Sequence, residues 1–227
     1  MANKSLSGAK FVKYGYGQVE DNHLSAPRNG QVYAQLPAAS DINVLENGQF
    51  VLYDYANGVC NLPGAENAGA GPVMMVLNEV KIYRERETDA DFAMIKDSYN
   101  ARIYSPLGQN DSSLKTVLDF TGEATREGGS EAYTYQIGNY TYGAPMPEGT
   151  KMVPRVLKMS VGDIYTTNCV NEETLAVGNQ LRADDNGYLA ISTGNDAKGK
   201  YGPTFQVVKV YTMPDMQPGV KLQCIAE

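Results

Sequence analysis

Between Val153 and Ile225 the chain runs in short segments: VPRVLKMSVGDIYTTNCV, LAVGNQLRADDNGYLAIS and PTFQVVKVYTMPDMQPGVKLQCI. Each is rich in β-branched and apolar residues and each is closed by Gly, Asn, Asp or Pro. Runs this short, punctuated this often, specify a compact antiparallel β domain. The sharpest punctuation is Asn186-Gly187. A two-residue turn there would mix Arg182 and Asp184 with Leu189 and Ile191. A three-residue loop, Asp185 to Gly187 with Gly187 left-handed, instead puts Leu181, Ala183, Leu189 and Ile191 on one face, because a slip of one residue turns every side chain over.

An earlier stretch copies this one. LENGQFV (Leu45 to Val51) answers LAVGNQL (Leu175 to Leu181), with Gly48 and Gly178 lying 130 positions apart. Val80-Lys81-Ile82-Tyr83 answers Val208-Lys209-Val210-Tyr211, and a Gly-Pro precedes each, at Gly71-Pro72 and Gly202-Pro203. Asn57-Gly58 marks a two-residue hairpin turn in the first copy, since both residues readily take positive φ. Pairing outward from it groups Val51, Tyr53, Tyr55, Cys60 and Leu62 on one face and Leu52, Asp54, Ala56, Val59 and Asn61 on the other. The expected fold is therefore mostly β: two related antiparallel modules, barrel-like or sandwich-like, with a hairpin-rich connecting region and an N-terminal arm.

The 227 residues suffice for one or two ordinary domains. A net charge of −7 with no Lys/Arg cluster repels phosphate backbones, so neither nucleic acid nor an anionic membrane is an expected partner. No apolar run approaches the length of a membrane span. MANKSLSGAKFVKYGYG lacks the continuous apolar core of a secretory leader. Three widely spaced cysteines, Cys60, Cys169 and Cys224, read as reduced, mostly buried thiols of a protein made in the cytosol.

The segments divide as an N-terminal arm (1–29), a first β module (30–83), a connecting region (84–150) and a C-terminal β module (151–227). The arm carries Phe11, Tyr14 and Tyr16 among glycines. It is either a free tail or a segment docked on the protein's own body or on a neighbour. Within the first module PGAENAGAG (63–71) reads as a flexible loop. In the connecting region Thr88 and Asp91 cap a short helix bearing Phe92, Ile95 and Tyr99; the alternative is a solvated connector with a strand at Ala101 to Tyr104. Further on, Gly138-Asn139 suits a type II′ turn, which sets Ile137 opposite Tyr140 and Tyr135 opposite Tyr142. Tyr133, Tyr135, Ile137, Tyr140 and Tyr142 then share one face. A lone hairpin does not leave such a face in water, so it packs on its own core or on a partner.

No catalytic, cofactor or metal site is expected, and the chain does not read as an enzyme. His23 is the single histidine and lies in a polar, turn-rich stretch where a surface role suffices. G-x-S-x-G, the phosphate-binding P-loop and a strand-linked G-x-G-x-x-G are absent from the sequence. Asp184-Asp185-Asn186 lacks the alternating oxygen ligands of a calcium loop and is better explained as turn chemistry. The candidate functional residues are those of an interface: Phe11, Tyr14, Tyr16, Tyr133, Tyr135, Tyr140 and Tyr142.

The C-terminal module resembles the auxiliary capsid proteins of tailed bacteriophages, the decoration or cement proteins. The likeness rests on GDIYTTN (Gly162 to Asn168), on the hairpin VGNQLRADDNGYL, and on FQVV followed by TMPDMQPGVK. It covers about a third of the chain well and the first module more loosely. The chain is longer than the small single-domain decorators, and 84–150 has no counterpart among them. The resemblance implies a β-rich structural protein on the capsid exterior of a virion, often a homo-oligomer, whose partner is the major capsid protein. A tail, collar or shell component, or a carbohydrate-binding β module, is the alternative.

Overall fold

The computed structural model describes residues 16–66, 69–79, 92–95, 101–104, 136–137, 140–143, 151–194, 197–213 and 217–227. Two compact units make up the chain: Met1–Met94 with Met152–Glu227, and Ile95–Lys151. The sequence segments 30–83 and 151–227 thus belong to one unit, save for Lys151. In chain order the described elements are β1 (Val19–His23), α1 (Ala26–Asn29), β2 (Val32–Tyr33), β3 (Val44–Leu45), β4 (Phe50–Asp54), β5 (Val59–Asn61), β6 (Val73–Val76), β7 (Met94–Ile95), β8 (Ala101–Tyr104), β9 (Gln136–Ile137), β10 (Tyr140–Gly143), β11 (Val156–Leu157), β12 (Ile164–Thr167), β13 (Gln180–Ala183), β14 (Leu189–Ile191), β15 (Tyr201–Thr212) and β16 (Pro218–Ala226).

The fold is mostly β and sandwich-like, with no closed barrel among the described residues. A five-stranded antiparallel sheet runs β2-β11-β6-β4-β5, and a six-stranded one runs β1-β12-β16-β15-β13-β14. Set β1 aside and the two orders are identical: first strand, fifth, fourth, second, third. Register agrees as well. The cross-strand row Tyr33–Val156–Val76 in one sheet matches Tyr165–Leu222–Val207 in the other. The Gly48 turn is closed by Gln49 N–H on Glu46 O at 3.2 Å, and the Gly178 turn by Asn179 N–H on Ala176 O at 3.1 Å. Both glycines are left-handed, with φ of 88° and 94°, as the third residue of a type II turn requires. Even isolated bridges recur: Ala38 with Cys60, and Val170 with Leu189.

These pairings refine the sequence alignment. Gly71-Pro72 and Gly202-Pro203 keep the spacing set by Val76 and Val207, so Val208 answers Leu77 rather than Val80; Val80 to Tyr83 lie outside the described residues. The first module is completed by β11, which pairs with β2 and β6 from far along the chain. In chain order the stretch between β6 and β11, which holds the second unit, corresponds to the short Met213–Gln217 connection between β15 and β16.

The second hairpin has the expected three-residue loop: Asp184 N–H bonds Tyr188 O at 2.8 Å, and Ala183 faces Leu189. The first hairpin does not turn at Asn57-Gly58 alone. Asp54 pairs with Val59, which leaves a four-residue loop, Tyr55 to Gly58. The Asp54 carboxylate accepts from Asn57 N–H at 3.1 Å and from Asn57 Nδ2 at 2.7 Å, and so draws the loop back over the strand end. A slip of two residues preserves the faces, and Val51, Tyr53 and Cys60 remain together. The 63–71 loop is tied on both sides, by Gly64 N–H to Asp185 O and by Gly69 N–H to Asp54 Oδ2.

The expected helix bearing Phe92 and Ile95 is replaced by a strand: Met94–Ile95 ladders with Val44–Leu45. Phe92, Ala93 and Met94 are buried, and burial of three successive residues suits an extended segment better than one face of a helix. Thr88, Asp91 and Tyr99 lie outside the described residues. Within the second unit, β8, β10 and β9 form a three-stranded sheet. Tyr140 opposes Ile137, the register predicted for a turn at Gly138-Asn139, and Ala101–Tyr104 is the strand of the alternative reading.

The two modules pack front to back. Leu181, Phe205, Leu222 and Tyr165 of the six-stranded sheet form the main core with Phe50, Met75 and Leu157 of the five-stranded sheet. The Phe50 and Phe205 rings lie 5.5 Å apart, as do those of Tyr165 and Phe205. In the repeat alignment Val51, Met74 and Val156 are the counterparts of Leu181, Phe205 and Leu222. Those residues point to the opposite face of the first sheet, where they are also buried. That face is covered by the chain following β2: Tyr53 Oη accepts from Leu36 N–H at 3.2 Å, and Cys60 bridges Ala38. The counterparts of Phe50, Met75 and Leu157 in the second module are Gln180, Gln206 and Gln223. Apolar residues fill the joint, and glutamines finish the outer surface.

Candidate interaction surface

The segment expected as an arm is anchored from Gly17 onward. Its strand β1 adds an edge to the six-stranded sheet beside β12, with Glu20 opposite Thr166. Its sequence, VEDNH, has no apolar alternation, so pairing at an edge rather than burial makes it a strand. Side chains reinforce the ladder. Gln18 N–H donates to Asn168 Oδ1 at 2.7 Å, Thr167 Oγ1 donates to Gln18 O at 2.6 Å, and Ser25 N–H donates to Asp163 Oδ1 at 2.8 Å. Asn168 Nδ2 reaches both Tyr16 O and Gln217 Oε1.

The anchor ends in a buried polar joint between the modules. Glu46 is 1% exposed; its carboxylate accepts from Gly17 N–H and, at 3.0 Å, from the Tyr188 hydroxyl. Removal from water raises the Glu46 carboxyl above its ordinary value, against the pull of those two hydrogen bonds. Burial, with Glu46 and Asp184 nearby, raises the Cys169 thiol well above its usual range, so it stays protonated and is a poor nucleophile. The joint is close-fitting. A Cβ on Gly17 would overlap Asn47 O, and one on Gly187 would overlap Phe50 O, where Gly187 O accepts from Phe50 N–H at 2.7 Å.

The far side of the six-stranded sheet is polar. One row crosses it as His23, Ile164, Gln223, Gln206 and Gln180, and the next as Glu20, Thr166, Lys221 and Lys209. The Tyr211 hydroxyl donates to Glu20 Oε2 at 2.9 Å, and Lys209 Nζ stands 5.1 Å from the Tyr211 ring centre. Beside this face β15 outruns its neighbour. β13 pairs with it as far as Gln206, Val207 bonds Asn179 and Gly178, and no described strand pairs on that side from Val208 to Thr212. Here apolar residues are exposed: Val208 at 44%, Val210 at 46%, and Val177 on the adjoining turn at 69%.

Of the candidate interface residues, Tyr16 is half-buried at the anchor, where its carbonyl accepts from Asn168. Tyr140 and Tyr142 lie on β10, opposite Tyr104 and Arg102 of β8. Phe11, Tyr14, Tyr133 and Tyr135 lie outside the described residues. His23 ends β1, exposed. Asp184 is a turn residue, its Oδ1 accepting from Asn186 N–H and Tyr188 N–H, both at 2.9 Å. Sequence reasoning missed Glu46, Asn168 and the free edge at Val208. A carboxylate inside the repeated Gly turn, where the copy has Ala176, was the available signal for the first.

No protein-family model, curated protein or solved structure matches the chain. Among the described residues no helix is long and apolar enough to cross a membrane.

Proposed function

We propose that the protein is an auxiliary capsid protein, a decoration or cement component that binds the exterior of a tailed-phage shell and reinforces it. The observation that carries this reading is the anchored N-terminal segment. A body of two modules on one core grips residues 17–25 by an edge ladder and a set of side-chain clamps. A peptide that leaves a rigid body from a fixed point loses less entropy on docking than one attached to a mobile terminus. Phe11 and Tyr14 precede that point in the sequence, and their aromatic side chains suit contacts to a neighbouring subunit. The net charge of −7 suits an outward position, away from packaged DNA. The likeness of Val153 to Ile225 to decoration proteins supplies the class. Reinforcement follows from linkage, because a ligand of the assembled shell alone stabilises that state.

The test is to mix purified protein with shells of its own major capsid protein that lack it. Saturable binding and a rise in the temperature of shell disruption are expected, and deletion of residues 1–15 should weaken both. Absence of binding by the full chain would overturn the proposal.

A further inference from the structure

We infer that the free edge of β15 is a self-pairing site, through which two copies of this chain join antiparallel about Val210. The segment Val208 to Thr212 continues β15 beyond the reach of β13, and no described strand pairs on that side. Its backbone is still held in strand form by β16, with Lys209 opposite Lys221, Val210 opposite Val220 and Tyr211 opposite Gly219. Met213 N–H points toward β16, where it bonds Gln217 O at 2.7 Å. Because alternate residues of a strand direct their backbone groups to opposite sides, Val210 and Thr212 direct theirs to the open side. An extended, rigid strand with unpaired donors and acceptors is a template for another strand.

The sequence of the edge selects the occupant. Read antiparallel about Val210, VKVYT is complementary to itself: Val208 meets Thr212, Lys209 meets Tyr211, and Val210 meets its own copy. Every β-branched residue meets another, and each Lys meets a Tyr, favourable classes of cross-strand pair. Val210 to Val210 is a hydrogen-bonded pair in this register, exchanging N–H···O bonds in both directions. The pairing also covers apolar surface that the monomer leaves in water, since Val208 and Val210 are nearly half exposed. A two-fold contact of this kind closes on itself and yields a dimer, not a filament. Lys209 and the irregular pairing at Val207 and Lys209 guard the strand against arbitrary partners. They leave the Val210-centred register open.

The experiment uses the full chain without any shell, so its outcome is separate from that of the decoration proposal. Sedimentation velocity over a concentration series should show the 24.7 kDa chain passing to twice that mass, and Val210→Lys should abolish the shift. Val210→Cys should cross-link to itself under mild oxidation, because a hydrogen-bonded antiparallel pair sets Cα atoms about 5.5 Å apart, within disulfide reach. Lys209→Cys and Tyr211→Cys should cross-link poorly alone and well when mixed. Circular dichroism of each variant establishes that it is folded. A wild-type chain that stays monomeric throughout overturns the inference. So does a folded Val210→Cys that fails to cross-link, or a Tyr211→Cys that links to itself more readily than to Lys209→Cys.

Discussion

Asp54 and Asp184 occupy the same place in the two modules, Asp54 closing β4 and Asp184 directly following β13, and each folds the following hairpin onto its own carboxylate. Asp54 receives Asn57 and Gly69, and Asp184 receives Asn186, Tyr188 and Asn171. The loops differ by one residue in length, yet both obtain their turn from the same acid. Asp184→Ala leaves three donors without their acceptor and should cost about 2–3 kcal/mol in denaturant unfolding. Asp185→Ala, which removes only the exposed contacts to Lys200 and Tyr201, should change stability by less than about 0.5 kcal/mol.

The Asp54 carboxyl is held below its ordinary value of 3.8, first by the Asn57 backbone N–H and next by that of Gly69. A depressed folded value means stability that is present above the unfolded value and lost as pH falls through the folded one. At neutral pH Asp54→Asn should be the less stable protein. As pH drops below about 3.8 the gap to wild type should narrow, measured by urea unfolding at each pH.

Glu46 has the opposite sign. Burial raises its carboxyl above 4.5, so its contribution to stability is greatest below that value and is lost as pH rises through the elevated one. Wild type should therefore gain stability relative to Glu46→Gln as the pH is lowered from neutral toward 4.5, a difference read from paired unfolding curves.

Gly187 and Gly178 are both left-handed but differ in surroundings. At Gly178 no atom stands within 4 Å of an added Cβ, and Gly178→Ala should cost only the backbone strain of about 1–2 kcal/mol. At Gly187 the Cβ would overlap Phe50 O as well. Gly187→Ala should cost roughly 3 kcal/mol or more, because the joint between the modules must open. Thermal unfolding of the two variants side by side makes the comparison.

All three cysteines are buried and free. Burial pushes the Cys60 thiol up to about 12 and that of Cys224 up to about 11, and Cys169 is raised as well. A thiol reagent at pH 8 should label none of them in the folded chain and all three in denaturant.

Much of the six-stranded sheet could be read from sequence because local chemistry dictates it. Gly187 must be left-handed for Leu181, Ala183 and Leu189 to share a face, and no distant residue alters that. The repeat was visible for the same reason: Gly48 and Gly178 serve the same turn. What sequence concealed depends on partners remote in the chain. β1 is polar and is a strand only because β12 offers it an edge. β11 belongs to a module whose other strands end near Val76. The helical spacing of Phe92 and Ile95 yields to a ladder with Val44–Leu45. The slip at Asn57 follows from one carboxylate, since Asp54 captures Asn57 and shifts the pairing by two residues. Glu46 lies in a turn that composition would leave in solvent, and its burial required residue 17 and residue 188 to arrive from both ends of the chain.

Repeats that stack face upon back ordinarily grow without a built-in limit, since each added copy offers the next the same seat. Here that arithmetic stops at two. A third layer on the C-terminal side would have to bury Gln180, Gln206 and Gln223, and on the other side the seat is already taken by the chain around Leu36 and Ala38. The pair of modules has a fixed thickness written into its own amides, and a further β layer has no seat on either of its faces.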